Sequence, residues 1–430
     1  MIKTKLSTQP YKGTVDMYPE DVLQRNYLFD VWKRVAKSFG YEEYDTPMLE
    51  EADIYRVKSG DELANNQLFN FVDKGGREVS LRPEMTPSLA RIIAAKKYSL
   101  TLPIRWFNIG RFYRYEKPQK GRTREFVQLN IDILGVSSID AELEIIQFVM
   151  RVMEELKAKE DTYELRINNR YLFDYLVEDL LKIDGELKEK LARAIDNYLK
   201  MERSSFNEYL KEIGLSDSQR DSVLEYINWE LKDLEDIKDS SRGAKELLEL
   251  FEKAKVLGIK NIRFCPYIMR GLAYYTGTVV EMYDIGSKQN PRALFGGGRY
   301  DDLLEIFGQE KLPAFGLGWG DVTTLDYLRT YSLLPEIKTD IDIFVTLMDE
   351  SLSLETSNIT KYLREEGLNV QMQLVSTKLT KQLQYADKKG IQWVVIVGEE
   401  EMKEGIVQLK DMFSKQTYKV KKEDIIDKIK

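Results

Sequence analysis

The chain contains no histidine. Without an imidazole, Ser-His-Asp and Cys-His hydrolysis, histidine general-base catalysis and the usual catalytic zinc site are excluded. Cysteine is almost as scarce. Cys265 stands alone, so it forms neither an intrachain disulfide nor a zinc-finger cluster, and no histidine is present to activate its thiol. No metal site built from protein histidine or cysteine is therefore expected. No apolar run approaches the ~20 residues of a membrane span, and the polar start Met1–Pro10 lacks a signal-peptide core. The expectation is a cytoplasmic protein with no membrane partner. No Gly-Lys-Ser/Thr step exists for a P-loop, and neither late glycine cluster fits a dinucleotide fingerprint.

What is present is a 430-residue chain with 32% charged and 43% hydrophobic residues and a formal net charge of −8. That composition belongs to soluble globular proteins of two or three domains. The chemistry left open is electrostatics and positioning by carboxylates, Arg, Lys, Tyr and backbone amides, of which phosphoryl or nucleotidyl transfer with magnesium is the commonest form.

Proline placement draws the coarse map, since none lies between Pro118 and Pro266. Within that gap, Tyr171 to Lys260 carries 15 basic and 21 acidic residues. Its apolar positions, such as Val177, Leu180 and Leu181, then Leu187, Leu191 and Ile195, recur at helical spacing. Residues 171–258 thus read as a helical insertion, solvated and without chemistry of its own. Before it, Glu20 to Phe39 has a helix pattern with Gly40 as its stop. Tyr41–Leu49 is extended, and Glu78–Leu81, Ile104–Tyr113 and Phe126–Leu134 read as strands. After the insertion, Tyr274–Tyr283 is β-branched and aromatic. The hairpin-like order favours an antiparallel sheet. A boundary falls near Leu333–Thr339. Beyond it, strand (Ile341–Leu347), helix (Ser353–Gly367), strand (Asn369–Leu374), helix (Leu379–Lys389) and strand (Trp393–Val397) predict a small α/β binding module with a mostly parallel or mixed sheet.

The densest positive charge is Arg111–Arg124, where Arg111, Arg114, Lys117, Lys120, Arg122 and Arg124 oppose only Glu116. Guanidinium forks match phosphate oxygens bidentately. A strand, turn and strand around Pro118 and Gly121 aims Arg114 and Glu116 at one pocket and leaves Lys117 to Arg122 as a projecting loop; a solvated basic hairpin is an equal alternative on charge alone. The two glycine clusters, Gly296-Gly297-Gly298-Arg299 and Gly316-Leu317-Gly318-Trp319-Gly320-Asp321, mark packing or a close backbone approach to a ligand. Glu84 and Thr86, two apart at a strand end, point the same way. Arg270 precedes two phenols, Tyr274 and Tyr275.

Taken together, Lys12-Gly13-Thr14-Val15-Asp16, LRPEMTPS (81–88), FYRYEKPQKGRTREF (112–126), RGLAYYTG (270–277), GGGRYDDL (296–303) and AFGLGWGD (314–321), in this order and followed by an α/β module, resemble the histidyl-tRNA synthetase family of class II. The likeness covers nearly the whole chain. It implies an α+β fold: an antiparallel catalytic sheet with flanking helices (1–170 and 259–332), the helical insertion at 171–258 and a C-terminal α/β anticodon-binding domain at 336–430. It also implies a homodimer through the segment Glu20–Leu49.

The resemblance further implies ATP, Mg²⁺, histidine and histidine tRNA as the molecules handled. Glu84, Thr86, Gln128 and Asp132 surround the amino acid, with Tyr274 and Tyr275 beside its ring. Arg114 holds the ATP α-phosphate, Glu116 the adenine amino group or magnesium, and Arg122 the outer phosphates. Arg299 adds a further cation for ATP. Arg270 stabilises the pentavalent phosphorus, making Arg270 and Arg114 the catalytic pair. Lys117, Gln119, Lys120 and Arg124 form the loop that meets the tRNA acceptor end. Departures are Asp132, where the family usually has Glu, Ala273, where Asp is commoner, and Gly320-Asp321, where the third motif commonly ends in Glu-Arg. Similar motifs occur in a different class of protein, the catalytically inactive, histidine-sensing regulatory subunit of ATP phosphoribosyltransferase, which generally lacks the terminal anticodon-binding domain.

Overall fold

The computed structural model describes residues 6–56, 67–269 and 274–429. It divides into two compact units, Met1–Asp16 with Tyr27–Leu334, and Met17–Asn26 with Pro335–Lys430. In the larger unit an eight-stranded sheet runs β1-β5-β6-β11-β10-β9-β7-β8. Its strands are β1 (Glu42–Glu43), β5 (Ile104–Tyr113), β6 (Glu125–Leu134), β7 (Tyr163–Asn169), β8 (Ile262–Phe264), β9 (Thr278–Asp284), β10 (Phe295–Arg299) and β11 (Ala314–Gly320). The outermost pairs, β1 with β5 and β7 with β8, are parallel, and the pairs between are antiparallel. A three-stranded sheet, β2 (Leu49–Glu51), β4 (Glu78–Leu81) and β3 (Phe69–Val72), leads into the LRPE segment.

Period-2 alternation explains how the central strands divide their labour. On β11, Phe315, Leu317 and Trp319 enter the main core, whereas Gly316, Gly318 and Gly320 occupy the opposite face. On β6, Leu129, Ile131 and Ile133 enter the same core, so Gln128, Asn130 and Asp132 share the other face. Behind the sheet lie residues 27–38 of the helix Pro19–Ser38. Its buried Leu28, Val31, Trp32, Val35 and Ala36 recur at helical spacing, Trp32 lies 6.0 Å from the Trp319 ring, and Gly40, at φ +76°, lets the chain leave.

The insertion differs from the solvated subdomain expected of it. Leu172, Leu191, Ile195, Phe206, Leu210, Tyr226 and Leu247 belong to the same continuous core as Leu165, Val280 and Met282 of the sheet. The apolar stripes that identify its helices join one core with the large sheet and are not buried only against each other.

The second unit carries a five-stranded sheet, β13-β12-β14-β15-β16, from β12 (Ile343–Val345), β13 (Val370–Met372), β14 (Trp393–Ile396), β15 (Val407–Asp411) and β16 (Thr417–Val420). The first three strands are parallel and the last two join antiparallel, giving a mixed sheet. Ile343, Val345 and Val395 face one core and Phe344, Val394 and Ile396 another. Burial on both faces explains why these strands read as unbroken apolar runs. On the helix Leu379–Lys389, Gln382 and Ala386 turn inward, while Lys381, Lys388 and Lys389, with Lys378 at its start, stay exposed.

Candidate active site

The glycine face of the large sheet floors an open cleft of about 410 Å³, within the size range of small-ligand sites. Arg114, Glu116, Arg122, Thr123, Phe126 and Gln128 line it from the β5–β6 hairpin, Gly296, Gly318 and Gly320 from the floor, and Glu281 and Tyr283 from β9. Arg114 is held in two ways: its Nε donates to the Pro83 carbonyl at 2.9 Å, and its guanidinium sits 5.3 Å from the Phe126 ring centroid. Arg122 Nε lies 3.1 Å from a Glu116 carboxylate oxygen. The basic hairpin therefore aims both side chains at one pocket, and Lys117, Gln119 and Lys120 project into solvent as expected of a loop.

Deeper, polar side chains link up. The Tyr274 hydroxyl donates to Glu84 Oε2 at 2.7 Å and is within hydrogen-bonding reach of Thr86. Its ring meets Tyr275 edge-on at 4.9 Å and Tyr300 at 6.1 Å. The Tyr300 hydroxyl in turn donates to Asp132 Oδ1 at 2.5 Å. Glu84, Asp132, Tyr274 and Tyr300 are all buried. A β-carbon at Gly316 would collide with the Asp132 carboxylate, one at Gly318 with the Gln128 amide, and one at Gly298 with the Tyr275 ring. These glycines make room for the Asp132, Gln128 and Tyr275 side chains, a use that the motif alone leaves undecided. Gln128 and Asp132, four residues apart on one strand face, span ~13 Å of strand, so β6 connects the cationic cleft to the buried carboxylate end.

Burial raises the Asp132 carboxyl to about 7, an effect the Tyr300 hydroxyl opposes only in part. A carboxyl whose folded pKa exceeds its unfolded value holds its proton in the native state after the unfolded chain has released it, so stability falls as pH rises from about 4 to about 7 and then levels. Asp132→Asn removes this dependence. In urea titrations the substitution is expected to gain stability relative to the wild type between pH 4.5 and 7.5; a constant difference between the two proteins across that range would show that Asp132 does not titrate there.

Two assignments change with the fold, and one further arginine gains a role. Arg299 is not in the cleft: it is 2% exposed, donates from Nε and Nη2 to the two Glu142 oxygens at 2.7 and 2.5 Å, and also bonds the Val136 and Ser138 carbonyls. Both of its faces are committed to a buried ion pair, so it is withdrawn from the ATP set. Arg124 leaves the acceptor loop for a local clamp, its guanidinium 4.2 Å from the Tyr115 ring centroid and bonded to the Glu116 carbonyl and the Tyr11 hydroxyl. The Arg124 amide donates to the Gly13 carbonyl at 2.6 Å. Arg82, unassigned from sequence, is 2% exposed and ties the LRPE turn to Asp45, Thr46 and the Arg111 carbonyl, which fixes the backbone that presents Glu84. Arg270 lies outside the described residues.

Further side chains of this region carry no signal in the sequence. Tyr300 stood inside GGGRYDDL without a role, and Arg292, which lines the cleft, sat in a loop with no pattern around it. Asp196 and Leu199 reach the same cleft from the insertion. Asp321, the departure in the third motif, is buried at the start of the helix Asp321–Thr330, and its Oδ1 accepts the Val127 amide at 3.0 Å.

One chain thus joins a largely antiparallel sheet with a cationic, glycine-floored cleft to a separate mixed-sheet module. Residues 13–320 match the family model described as histidyl-tRNA synthetase, and residues 342–430 match an anticodon binding domain. The chain is 41% identical to a histidine–tRNA ligase of Leptospira biflexa over 100% of this chain and 99% of that one. It is 35% identical to the chloroplastic/mitochondrial histidine–tRNA ligase of Arabidopsis thaliana, covering 98% of this chain and 86% of that one. Its fold superimposes on the crystal structure of a histidyl-tRNA synthetase from Nostoc with a TM-score of 0.85 and 25% identity, covering 99% of each chain. The chain belongs to the histidyl-tRNA synthetase family.

Proposed function

We propose that the protein is a histidine–tRNA ligase. In the first step a carboxylate oxygen of histidine attacks the α-phosphorus of ATP; the acyl–phosphate bond forms, the bond to the β-phosphate breaks, and pyrophosphate leaves. In the second, a ribose hydroxyl at the tRNA 3′ end attacks the acyl carbon and AMP departs. The nucleophile is already ionised at neutral pH, which suits a chain without histidine: the barrier falls through positioning and cationic stabilisation. The observation that carries this reading is β6, on which Gln128 opens into the cleft with Arg114 and Arg122 while Asp132 lies in the buried network with Tyr300, Tyr274 and Glu84.

In this reading the cationic end takes the phosphates, and Glu84, Thr86, Gln128, Asp132, Tyr274 and Tyr275 take the amino acid, its ammonium suited to Glu84 and its imidazole to Asp132. Mg²⁺ arrives as part of the Mg²⁺–ATP substrate, and Glu116 and Glu281, both lining the cleft, are oxygen donors of the kind it accepts. Lys117, Gln119 and Lys120 would meet the acceptor end, and the exposed lysines of residues 378–389 the tRNA backbone. A homodimer through residues 20–49 and work in the cytoplasm belong to the same proposal; exposed Met48, Leu49, Phe71 and Val72 are apolar side chains suited to a partner copy.

The test is isotope exchange between pyrophosphate and ATP with the purified chain. Exchange that requires both histidine and Mg²⁺ is expected. Histidine binding by calorimetry with no exchange at any ATP concentration would instead favour a histidine-sensing regulatory subunit.

A further inference from the structure

Asp321, at the start of the helix after β11, adds no cation to the cleft: its carboxylate is buried and takes the Val127 amide. A triphosphate has several negative charges to neutralise in a partly desolvated cleft. Among the described residues, the cations lining that cleft are Arg114, Arg122 and Arg292. Two have partners, Arg114 in the Pro83 carbonyl and Arg122 in Glu116.

We propose that Arg292 is a phosphate-binding residue for ATP, gripping the phosphates from the β9–β10 connection together with Arg122. This rests on the ligase reading above. Four observations carry it. Arg292 is half-buried in the cleft wall, and among the described residues it makes no hydrogen bond or ion pair. Its stem packs beside Gly121 at the hairpin tip, where φ is +72° and an added β-carbon would press on the Arg292 Cδ at 3.2 Å, so the loop assigned to the outer phosphates and Arg292 are neighbours. The connection bearing Arg292 is bound to the third motif itself, since the Leu294 carbonyl accepts from the Thr323 hydroxyl at 3.1 Å and the Gly320 amide at 3.3 Å.

The fourth observation is preorganisation. Asp284 accepts the Gly286 and Ser287 amides at 3.1 and 3.0 Å, the Tyr331 hydroxyl at 2.6 Å and the Asn290 amide at 2.7 Å, and Asn290 also donates to Thr330. The loop is thus fixed from both ends before any ligand arrives, and the guanidinium at its tip is left for an anion. Burial, then the neighbouring Arg122 charge, holds the Arg292 pKa below the ordinary guanidinium value, against a pull from Glu116. Two guanidinium groups sharing a wall are relieved by an anion between them, and forked donors suit phosphate oxygens.

The experiment compares wild type, Arg292→Ala and Arg292→Lys in the full chain, by pyrophosphate exchange and by calorimetry with ATP and with histidine separately. Arg292→Ala is expected to raise KM for ATP roughly 10- to 100-fold, the usual range for losing hydrogen bonds from a charged group, while the histidine Kd changes less than twofold. Arg292→Lys should fall between, and added methylguanidinium should restore part of the ATP affinity of Arg292→Ala without affecting wild type. An unchanged KM for ATP, or a loss of exchange that appears only as a lower melting temperature with no guanidinium rescue, overturns the proposal. Should wild type show no histidine-dependent exchange, the ligase reading fails separately. The ATP Kd by calorimetry then decides Arg292 alone: weakened in Arg292→Ala supports it, unchanged overturns it.

Discussion

Arg299→Ala is expected to lower the unfolding free energy of the larger unit by about 3–5 kcal/mol, the range for breaking a buried ion pair and stranding the other charge. Glu142 is fully buried and Arg299 2% exposed. Removing the guanidinium leaves the Glu142 carboxylate without its two donors and the Val136 and Ser138 carbonyls each without one. The double substitution Glu142→Gln with Arg299→Met should recover part of the loss: the buried Glu142 charge goes with its partner, while Asp301, 3.5 Å from Arg299, still loses its ion pair. Stability is read as the urea midpoint of the first unfolding transition, since two compact units need not unfold together. If Arg299 belonged to the ATP site, alanine would instead raise KM for ATP at an unchanged midpoint, and that result would reverse the assignment drawn from the buried pair.

Arg114→Ala should reduce the rate constant for pyrophosphate exchange by about 10²- to 10³-fold, the usual loss when one preorganised donor to a developing charge is removed. Arg114 fits that role because, among the described residues, its anchoring uses only Nε and the ring face of Phe126. Arg114→Lys should be almost as damaging: an ammonium keeps the charge but loses the fork, the stacking plane and the bond to Pro83. Activity in Arg114→Lys within threefold of wild type would mean that charge alone matters at this position and that its geometry does not.

Much of this arrangement is legible in the chain. Glu78–Leu81 and Ile104–Tyr113 form strands over the bounds their patterns set, and the helix Leu379–Lys389 does likewise. Each carries strong local signals: turn residues on both sides, β-branched content, or a stop such as Gly390 with φ +71°. The glycine-rich strands β10 and β11 were harder to read, because glycine has low strand propensity and the alternation of Phe315, Leu317 and Trp319 with glycine is visible only once the partner face of β6 is known. The packing of the insertion is hidden from the sequence for a related reason. Amphipathic spacing shows that a helix buries one face but not what it buries that face against.

Order, period and the set of charged residues are properties of the chain itself. The absence of histidine excludes imidazole chemistry whatever the fold, and the alternation along residues 125–134 commits Gln128 and Asp132 to one face whatever packs there. The destination of each arginine is another matter. Arg114, Arg292 and Arg299 look alike in sequence, yet among the described residues one is anchored through Nε to Pro83, one lines the cleft wall without a hydrogen bond or ion pair, and one is locked in the core. Only tertiary structure decides among these, because the deciding partners are remote. Pro83 lies 31 residues from Arg114, and Glu142 lies 157 residues from Arg299. A guanidinium binds whichever carboxylate or phosphate the fold brings within hydrogen-bonding distance, and no local pattern records which one that is.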